Sequence, residues 1–441
     1  MKVLDIAKTI IEKYPLCDHC LGRQFALLMH GTTNRERGNI IKNCLAMEGH
    51  ALALDKRAEG IELLKSLVRG GSSKSAAMIL RNLGVEEIPV EKSCYLCSGK
   101  FEAISRIVDM ANQKISHLNF NTFLVGVKIA SSIIEKEDEL RSGIGIKWGE
   151  TIRNEFSREI GKELTKVTKR DFDLMRPDLV IMVNPFTEEV SLQVNPLYVS
   201  GRYRKLATGI SQSKSICGSC GGKGCPKCDG TGNVPKESVE EYIAKPLLQA
   251  SGGSDEKFHA AGRENADTRI MGTGRPFILE IKNPLKRDLN LGEIAEKIQQ
   301  ESKGKIMVAG LRMSGRENVR RLKARGELRK TYRIVVDFAD SLSDSDLGRL
   351  EEGIKSYFKN RGPHPPIKGL NSSPEKQIYE TTMRRLTQNS IEITVSATGG
   401  RYVKELVGKH GELKDSLSQI IENPTRKMEF EVIDLVWNDA I

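Results

Sequence analysis

The sequence has few aromatic residues, no long apolar run and no leader-like N-terminus. Phe, Trp and Tyr make up 5% of its 441 residues, too few for a surface dominated by base-stacking platforms. No apolar run approaches the roughly 20 residues of a membrane span. The first residues have helical spacing of apolar side chains, but Lys8, Glu12 and Lys13 interrupt them, unlike the apolar segment of a signal peptide. We therefore expect a cytoplasmic protein.

The chain is basic and longer than one ordinary hydrophobic core requires. Its length predicts two or three domains. The formal net charge is +11 and the pI is about 9.1, so the surface attracts polyanions, of which nucleic acid is the commonest in cells. Solvated basic surfaces and small phosphorylated ligands are the alternatives.

Four Cys-x-x-Cys pairs contain eight of the nine cysteines, and Cys44 stands alone. In a cytosolic chain this spacing favours metal or redox chemistry over structural disulfides. Two pairs far apart in sequence are predicted to share one zinc ion that clips the N-terminal helix to a later segment, although four buried, unligated thiols would give the same pattern. These residues are Cys17, Cys20, Cys94 and Cys97.

The other two pairs form the compact stretch CGSCGGKGCPKCDGTG. Its glycines permit tight turns around a closed zinc site, which has no open coordination position for catalysis. We predict a role in folding or RNA positioning. The ligands would be Cys217, Cys220, Cys225 and Cys228.

Alternating helix and strand patterns continue to the C-terminus and predict an α+β fold with a mixed, mainly antiparallel sheet. SVEEYIAKPLLQASGG reads as a helix with a serine cap, kinked or broken near Pro246. RPFILEIKNP, KTYRIVVDFA and MEFEVIDLVW read as strands, and GRENVRRL as a basic helix.

The segments TFLVGVKI, RPDLVIMV and GRYRKLATGISQ resemble a THUMP domain, an RNA-binding module of tRNA-modifying enzymes. The resemblance implies that the cluster of Arg202, Tyr203, Arg204 and Lys205 contacts RNA. The alternative is a solvated β-edge whose lysines deter aggregation.

The stretch AAGRENADTRIMGTGRPF carries the strongest candidate for chemistry. Gly272 and Gly274 are predicted to allow a tight return of the chain. A carboxylate beside Arg263 would remain ionised, because a nearby cation lowers its pKa, and could act as nucleophile or base. A salt-bridged surface loop is the alternative.

Together with the cysteine pairs and GGRYVKELV, this stretch is similar to archaeal and eukaryotic tRNA pseudouridine synthases with an N-terminal THUMP domain, which modify uridines of the TΨC loop. The resemblance implies tRNA as partner, structural zinc, and no organic cofactor, protein partner or membrane. It gives a zinc and THUMP RNA-binding domain at 1–215, a zinc knuckle at 216–232 and a catalytic domain at 233–441.

In this family an Asp acts on a uridine flipped out of its loop. The resemblance places that Asp two residues after the Arg, where this chain has Asn265. Three explanations remain open: Asp267 is the working carboxylate, the protein binds tRNA without catalysis, or the sequence is an engineered variant.

The resemblance also implies substrate contacts by Arg263, by Tyr332 packing on the target base, and by Tyr402, with Lys404 pairing with the carboxylate. Alternatively, Tyr332 is a cross-strand aromatic and Tyr402 a cap residue; Arg401 stands where the family usually has threonine. A zinc-dependent nucleotide deaminase is disfavoured, because the His-x-Glu motif is absent.

Overall fold

The computed structural model describes residues 2–71, 73–230, 232, 237–323, 329–359, 378–398 and 412–436. The chain divides into two compact units, Met1–Asn195 and Pro196–Ile441. Within the described ranges, no helix combines the length and apolarity needed to cross a bilayer.

The first unit begins with helices and ends with a small sheet. The predicted N-terminal amphipathic helix is confirmed, since Ile6, Ala7, Ile10 and Ile11 are buried on one side. The helices are α1 Val3–Lys13, α2 Asp18–Gly22, α3 Asn34–Leu54, α4 Ala58–Gly71, α5 Lys74–Asn82, α6 Ile104–Ile115, α7 Ser131–Ile144 and α8 Ile152–Thr168.

Four strands form the sheet of this unit in the order β2-β1-β3-β4. Strand β1 pairs in parallel with β2 and β3, and β3 forms an antiparallel hairpin with β4. The turn NPFTEE joins the two strands of the hairpin, and Oδ1 of Asn184 accepts hydrogen bonds from the backbone N–H groups of Phe186 and Thr187. The strands are β1 Thr122–Val127, β2 Asp171–Phe172, β3 Leu179–Asn184 and β4 Glu189–Val194.

The second unit is built on a larger sheet in the order β10-β11-β9-β12-β7-β5-β8, with β6 paired to β7. The β12–β7 pairing is parallel and the others are antiparallel, which confirms the predicted mixed, mainly antiparallel sheet. The strands are β5 Leu197–Lys205, β6 Asp255–Ala260, β7 Arg269–Lys282, β8 Ile306–Ser314, β9 Arg329–Phe338, β10 Ile378–Thr387, β11 Ser390–Thr398 and β12 Thr425–Val436.

Helices of the second unit cover the sheet and bury one apolar stripe each. Helix α9 begins after Ser238, whose hydroxyl accepts from the Glu241 N–H, and continues unbroken through the buried Pro246. Of the predicted kink or break at Pro246 the break is absent, and Ile243 and Leu247, on either side of the proline, are both buried in the core. The helices are α9 Val239–Ser251, α10 Leu291–Glu301, α11 Arg316–Lys323, α12 Asp344–Lys359 and α13 Glu412–Ile421.

Strand β5 lies in the second unit, although the sequence suggested that the first domain extends to residue 215. It is hydrogen-bonded between β7 and β8, so Tyr203 and Lys205 on its core face are fully buried. The prediction that the Arg202–Lys205 cluster contacts RNA is therefore wrong for these two side chains. Their burial follows from the period-two alternation of a central strand.

Candidate active site

The loop that carries the candidate catalytic residues connects β6 to β7. The two strands pair in antiparallel register up to Ala260 and Phe277, and the loop projects beyond this pairing. Arg263, Asn265 and Asp267 are exposed. The sequence therefore presents one guanidinium, one amide and one carboxylate to solvent on a single short segment.

Strand β7 already begins at Arg269, so Gly272 and Gly274 lie within a strand and the predicted tight return is wrong. Both glycines have positive φ, 55° and 77°. A Cβ at Gly272 would lie 1.7 Å from the carbonyl oxygen of Ile433, and one at Gly274 would lie 2.7 Å from that of Tyr203. Glycine is required here because neighbouring strands approach closely around an irregular register.

The ion pair beneath the loop is formed by Glu264. Its Oε2 lies 2.9 Å from Nε of Arg275, and both side chains are buried. The Tyr203 hydroxyl donates to Oε1 of Glu264 at 2.7 Å, and Nε2 of Gln212 lies 2.6 Å from Oε2. Burial raises the pKa of Tyr203 well above its usual value, and the Glu264 charge adds to this. Tyr203 thus remains a neutral donor.

Lys205 fixes the backbone of the loop from below. Its buried Nζ donates to the carbonyl oxygens of Ile210 at 2.9 Å, Asn265 at 2.8 Å and Ala266 at 3.1 Å. Burial lowers the pKa of Lys205, while Glu264 and Asp267 oppose this shift. The loop conformation at residues 265 and 266 therefore depends on a side chain distant in sequence.

A second buried lysine, Lys330, comes from the start of β9. Its side chain is 5% exposed and faces the same side of the strand as Tyr332, two residues further on. Burial lowers its pKa to about 8; the positive charge of Arg275 adds to this, whereas Glu264 opposes it. The site thus contains three buried cations from three strands.

Arg263 and Asp267 lie on the same loop. Among the residues that the structure describes, no ion pair joins them. The carboxylate of Asp267 lies 3.4 Å from the Thr268 hydroxyl. The carboxylate that an arginine does hold is Glu264, with Arg275. The assignment of catalysis to Asp267 and Asn265, and of substrate contact to Arg263, stays a prediction.

Tyr332 lies near the start of β9, two residues after Lys330, and is 3% exposed. It is opposite Val395 of β11 and Val432 of β12, so it is also part of the core. Its proposed packing on a base stays a prediction. Tyr402 and Lys404 lie outside the described residues.

Sequence reasoning missed the buried polar residues of the site. The sequence pattern indicates an exposed basic-aromatic cluster at Tyr203 and Lys205, and it does not distinguish Glu264 from its neighbours Asn265 and Asp267. Lys330 had a usable signal, because it continues the alternation of Tyr332, Ile334 and Val336 on the buried face of β9. The other two members of the network are Gln212 and Arg275.

The first predicted set of metal ligands is brought together. The Sγ atoms of the two cysteine pairs, which are 74 or more positions apart in sequence, lie within 4.8 Å of one another, and those of Cys17 and Cys97 are 3.5 Å apart. Four sulfurs about 2.3 Å from one zinc ion are about 3.8 Å apart in a tetrahedron. The spacing fits a zinc ion that links α2 to the segment before α6. The cluster comprises Cys17, Cys20, Cys94 and Cys97.

The second predicted set forms a compact cluster as well. Sγ–Sγ distances are 3.9 Å for Cys217 and Cys225, 3.8 Å for Cys220 and Cys228, and 3.7 Å for Cys225 and Cys228. Burial opposes ionisation of Cys228, yet the N–H groups of Cys225 and Gly232 and the neighbouring thiols lower its pKa to about 7. These contacts suit a thiolate and fit a closed, structural metal site.

Comparison with known proteins agrees with this architecture. Residues 107–184 match the family model "Pus10 THUMP domain, archaeal", and residues 198–435 match "Pus10, C-terminal". The protein named tRNA pseudouridine synthase Pus10 from Methanocaldococcus jannaschii is 36% identical, over 98% of this chain and 94% of its own length. The protein of the same name from Thermofilum pendens is 33% identical over the same shares.

Among solved structures, a crystal structure of a Cbf5-Nop10-Gar1 complex is similar over 43% of this chain and 44% of its own, at 10% identity and a TM-score of 0.23. A likeness of this size supports no conclusion. The family-model matches and the full-length relatives are sufficient by themselves: the chain belongs to the Pus10 family of tRNA pseudouridine synthases.

Proposed function

We propose that the protein isomerises uridine to pseudouridine in the TΨC loop of tRNA, using Asp267 as the working carboxylate. The family assignment supports the reaction class and the substrate. The observation that favours Asp267 is the different environment of the two carboxylates in the loop. Glu264 is enclosed by Arg275 and Tyr203, whereas Asp267 is exposed.

Asp267 suits the role because the other side chains of the loop cannot take it. The oxygens of Glu264 are occupied by a buried ion pair and hydrogen bonds, so moving it toward substrate would leave Arg275 uncompensated. Asn265 carries an amide, which is a poor nucleophile and cannot hold the charge. Asp267 is the remaining carboxylate, on a backbone that Lys205 holds at the preceding residue.

The reaction requires the target uridine to leave its stack, which costs a few kcal/mol that contacts to the flipped base must offset. Tyr332, near the start of β9, is the ring that packs on this base in the proposal, and Arg263 supplies a cation on the loop. The buried network holds the loop in place before substrate arrives, so little reorganisation is needed during the reaction.

The first unit would deliver the tRNA. A pocket beside α8 and β2 has a mostly apolar exposed lining that includes the ring of Phe172, a surface on which a base can stack. It is lined by Asn154, Ser157, Arg158, Gly161, Lys162, Thr165 and Phe172. In both cysteine clusters we propose zinc as a structural ion that orders the surrounding turns and takes no part in the chemistry.

The test is to incubate the protein with an unmodified tRNA transcript and to map pseudouridine by carbodiimide chemistry. Wild-type protein and D267N are compared, with D255N as the matched control, because Asp255 is an exposed aspartate paired with Lys282 on the β6–β7 hairpin. Product in the TΨC loop from wild type and D255N, but not from D267N, supports the proposal. Equal product from D267N and wild type would exclude Asp267 as the catalytic carboxylate.

The alternative function is a tRNA-binding protein without catalysis, which the amide at residue 265 favours. N265D distinguishes the two. Activity that appears only in N265D would identify a protein that binds without catalysing, whereas activity in wild type that D267N abolishes would assign catalysis to Asp267. Binding of the same transcript is measured in parallel, so that loss of activity is separated from loss of affinity.

A further inference from the structure

Gly262 lies directly over two buried cationic groups. The residue is exposed and has φ of 79°. A Cβ built there would lie 3.0 Å from Nη1 of Arg275 and 3.4 Å from Nζ of Lys330. Both groups are almost fully covered by the protein, since Arg275 is 1% and Lys330 5% exposed, and glycine adds no side chain over them.

The positive charge beneath Gly262 exceeds the negative charge that accompanies it. Arg275 pairs with Glu264, and Nη1 of Arg275 also donates to the carbonyl oxygen of Ala261. For Lys330, Glu264 is the one carboxylate among the described residues that favours its charged form, and it acts without a hydrogen bond. An ammonium group that is 5% exposed and lacks a close anion is costly to keep charged.

We propose that Arg275 and Lys330 form an anion-binding site at Gly262 that takes a backbone phosphate of the substrate tRNA next to the flipped nucleotide. This proposal rests on the proposed function for the identity of the RNA. A phosphate supplies the missing charge and has several acceptor oxygens, and lysine binds it as a point charge beside the fork of an arginine.

Hydrogen bonds hold the backbone at Gly262 in place before a ligand arrives. Nε2 of Gln212 lies 3.1 Å from the carbonyl oxygen of Gly262, and the Ala261 N–H donates to the Pro276 carbonyl oxygen at 3.1 Å. The two cations are themselves fixed by β7 and β9. Binding therefore requires little ordering of the protein, which favours affinity.

The experiment measures the affinity for an unmodified tRNA transcript over a series of salt concentrations. K330M should weaken binding several-fold and reduce the slope of log Kd against log salt concentration by about 1, the value for one lost phosphate contact. K330R should retain the wild-type slope. K355M is the matched control, because Lys355 pairs with Glu351 on the surface of α12, and it should leave the slope unchanged.

A second measurement does not depend on a variant. Acetylation of Lys330 by an amine reagent is followed by mass spectrometry with and without the transcript, and tRNA should protect Lys330. Unchanged slope in K330M together with unprotected Lys330 would overturn the site. Protection without any pseudouridine product would retain the site while rejecting the proposed activity, so the two failures are distinguishable.

Discussion

Glu264 and Arg275 face each other in the interior of the second unit, with 2.9 Å between Oε2 and Nε and neither side chain more than 2% exposed. Glu264 comes from the loop and Arg275 from the middle of β7. The pair therefore ties the exposed loop to the central sheet, and Tyr203 and Gln212 hydrogen-bond to the Glu264 carboxylate.

Replacing Glu264 by glutamine tests this connection. E264Q preserves the shape but leaves Arg275 and Lys330 without a counter-charge, so we expect the free energy of unfolding to fall by about 3–5 kcal/mol. Urea unfolding measures the change. E429Q, which breaks an exposed pair with Lys427, should cost less than about 1 kcal/mol. Equal effects of the two substitutions would contradict the role of burial.

Replacing Lys330 by methionine should stabilise the free protein while weakening tRNA binding. The folded-state pKa of Lys330, about 8, lies below that of an unfolded lysine, about 10.4. Between these values the unfolded chain binds more protons, so the free energy of unfolding of the wild type rises with pH, by up to about 3 kcal/mol. Below pH 8 the full cost of the buried charge is present.

K330M has no such cost, so it should be the more stable protein at pH 7 and lose its advantage by pH 10. Urea unfolding of both proteins across this pH range is the measurement. A difference in stability that stays constant with pH would show that Lys330 titrates normally.

Metal content tests the two cysteine clusters independently of activity. We expect two zinc ions per chain by elemental analysis, and one after either C20S or C228S, because each serine removes a thiolate ligand from one closed site. C44S should retain both ions, since Cys44 belongs to neither cluster. A chelator should lower the thermal stability of wild type. Full zinc content in C228S would refute the assignment of the second cluster.

Glycine 272 should tolerate no side chain. In G272A the new Cβ would meet the Ile433 carbonyl oxygen at a backbone φ of 55°, so we expect a loss of several kcal/mol or failure to fold. G348A is the control, because Gly348 is exposed within α12 with open space around it. That substitution should stabilise by up to about 1 kcal/mol. Equal stability of the two variants would show that β12 can move away from β7.

Local patterns predicted the elements that later position the site. Periodicity identified β7, β9 and α11, and the serine cap before α9 was read correctly. The cysteine spacing identified both clusters, because two cysteines in a Cys-x-x-Cys segment are close enough to bind the same ion. Strand β6 was not predicted, since DEKFHA lacks a run of β-branched residues and is placed in the sheet by pairing with β7.

The buried half of the site could not be predicted in this way. Whether Tyr203 and Lys205 face RNA or the core depends on β5 lying between β7 and β8, a long-range pairing that leaves no local signal. The partnership of Glu264 with Arg275 likewise requires the irregular stretch around Gly272 and Gly274, which shifts the register of β7 against β5. Without a local signal for burial, the sequence pattern predicts that polar side chains such as Lys205 and Glu264 lie on the surface.

The contacts of Lys205 bear on position 265, where the sequence resemblance predicts an aspartate and this chain has Asn265. The Lys205 ammonium donates hydrogen bonds to the main-chain oxygens of residues 265 and 266. These bonds fix the backbone at both positions and do not involve the side chain of residue 265. Exchanging a carboxamide for a carboxylate at that position would alter the chemistry offered to an RNA while leaving the peptide path as it is. A single nucleotide change in the gene could thus convert one kind of site into the other on an unchanged framework.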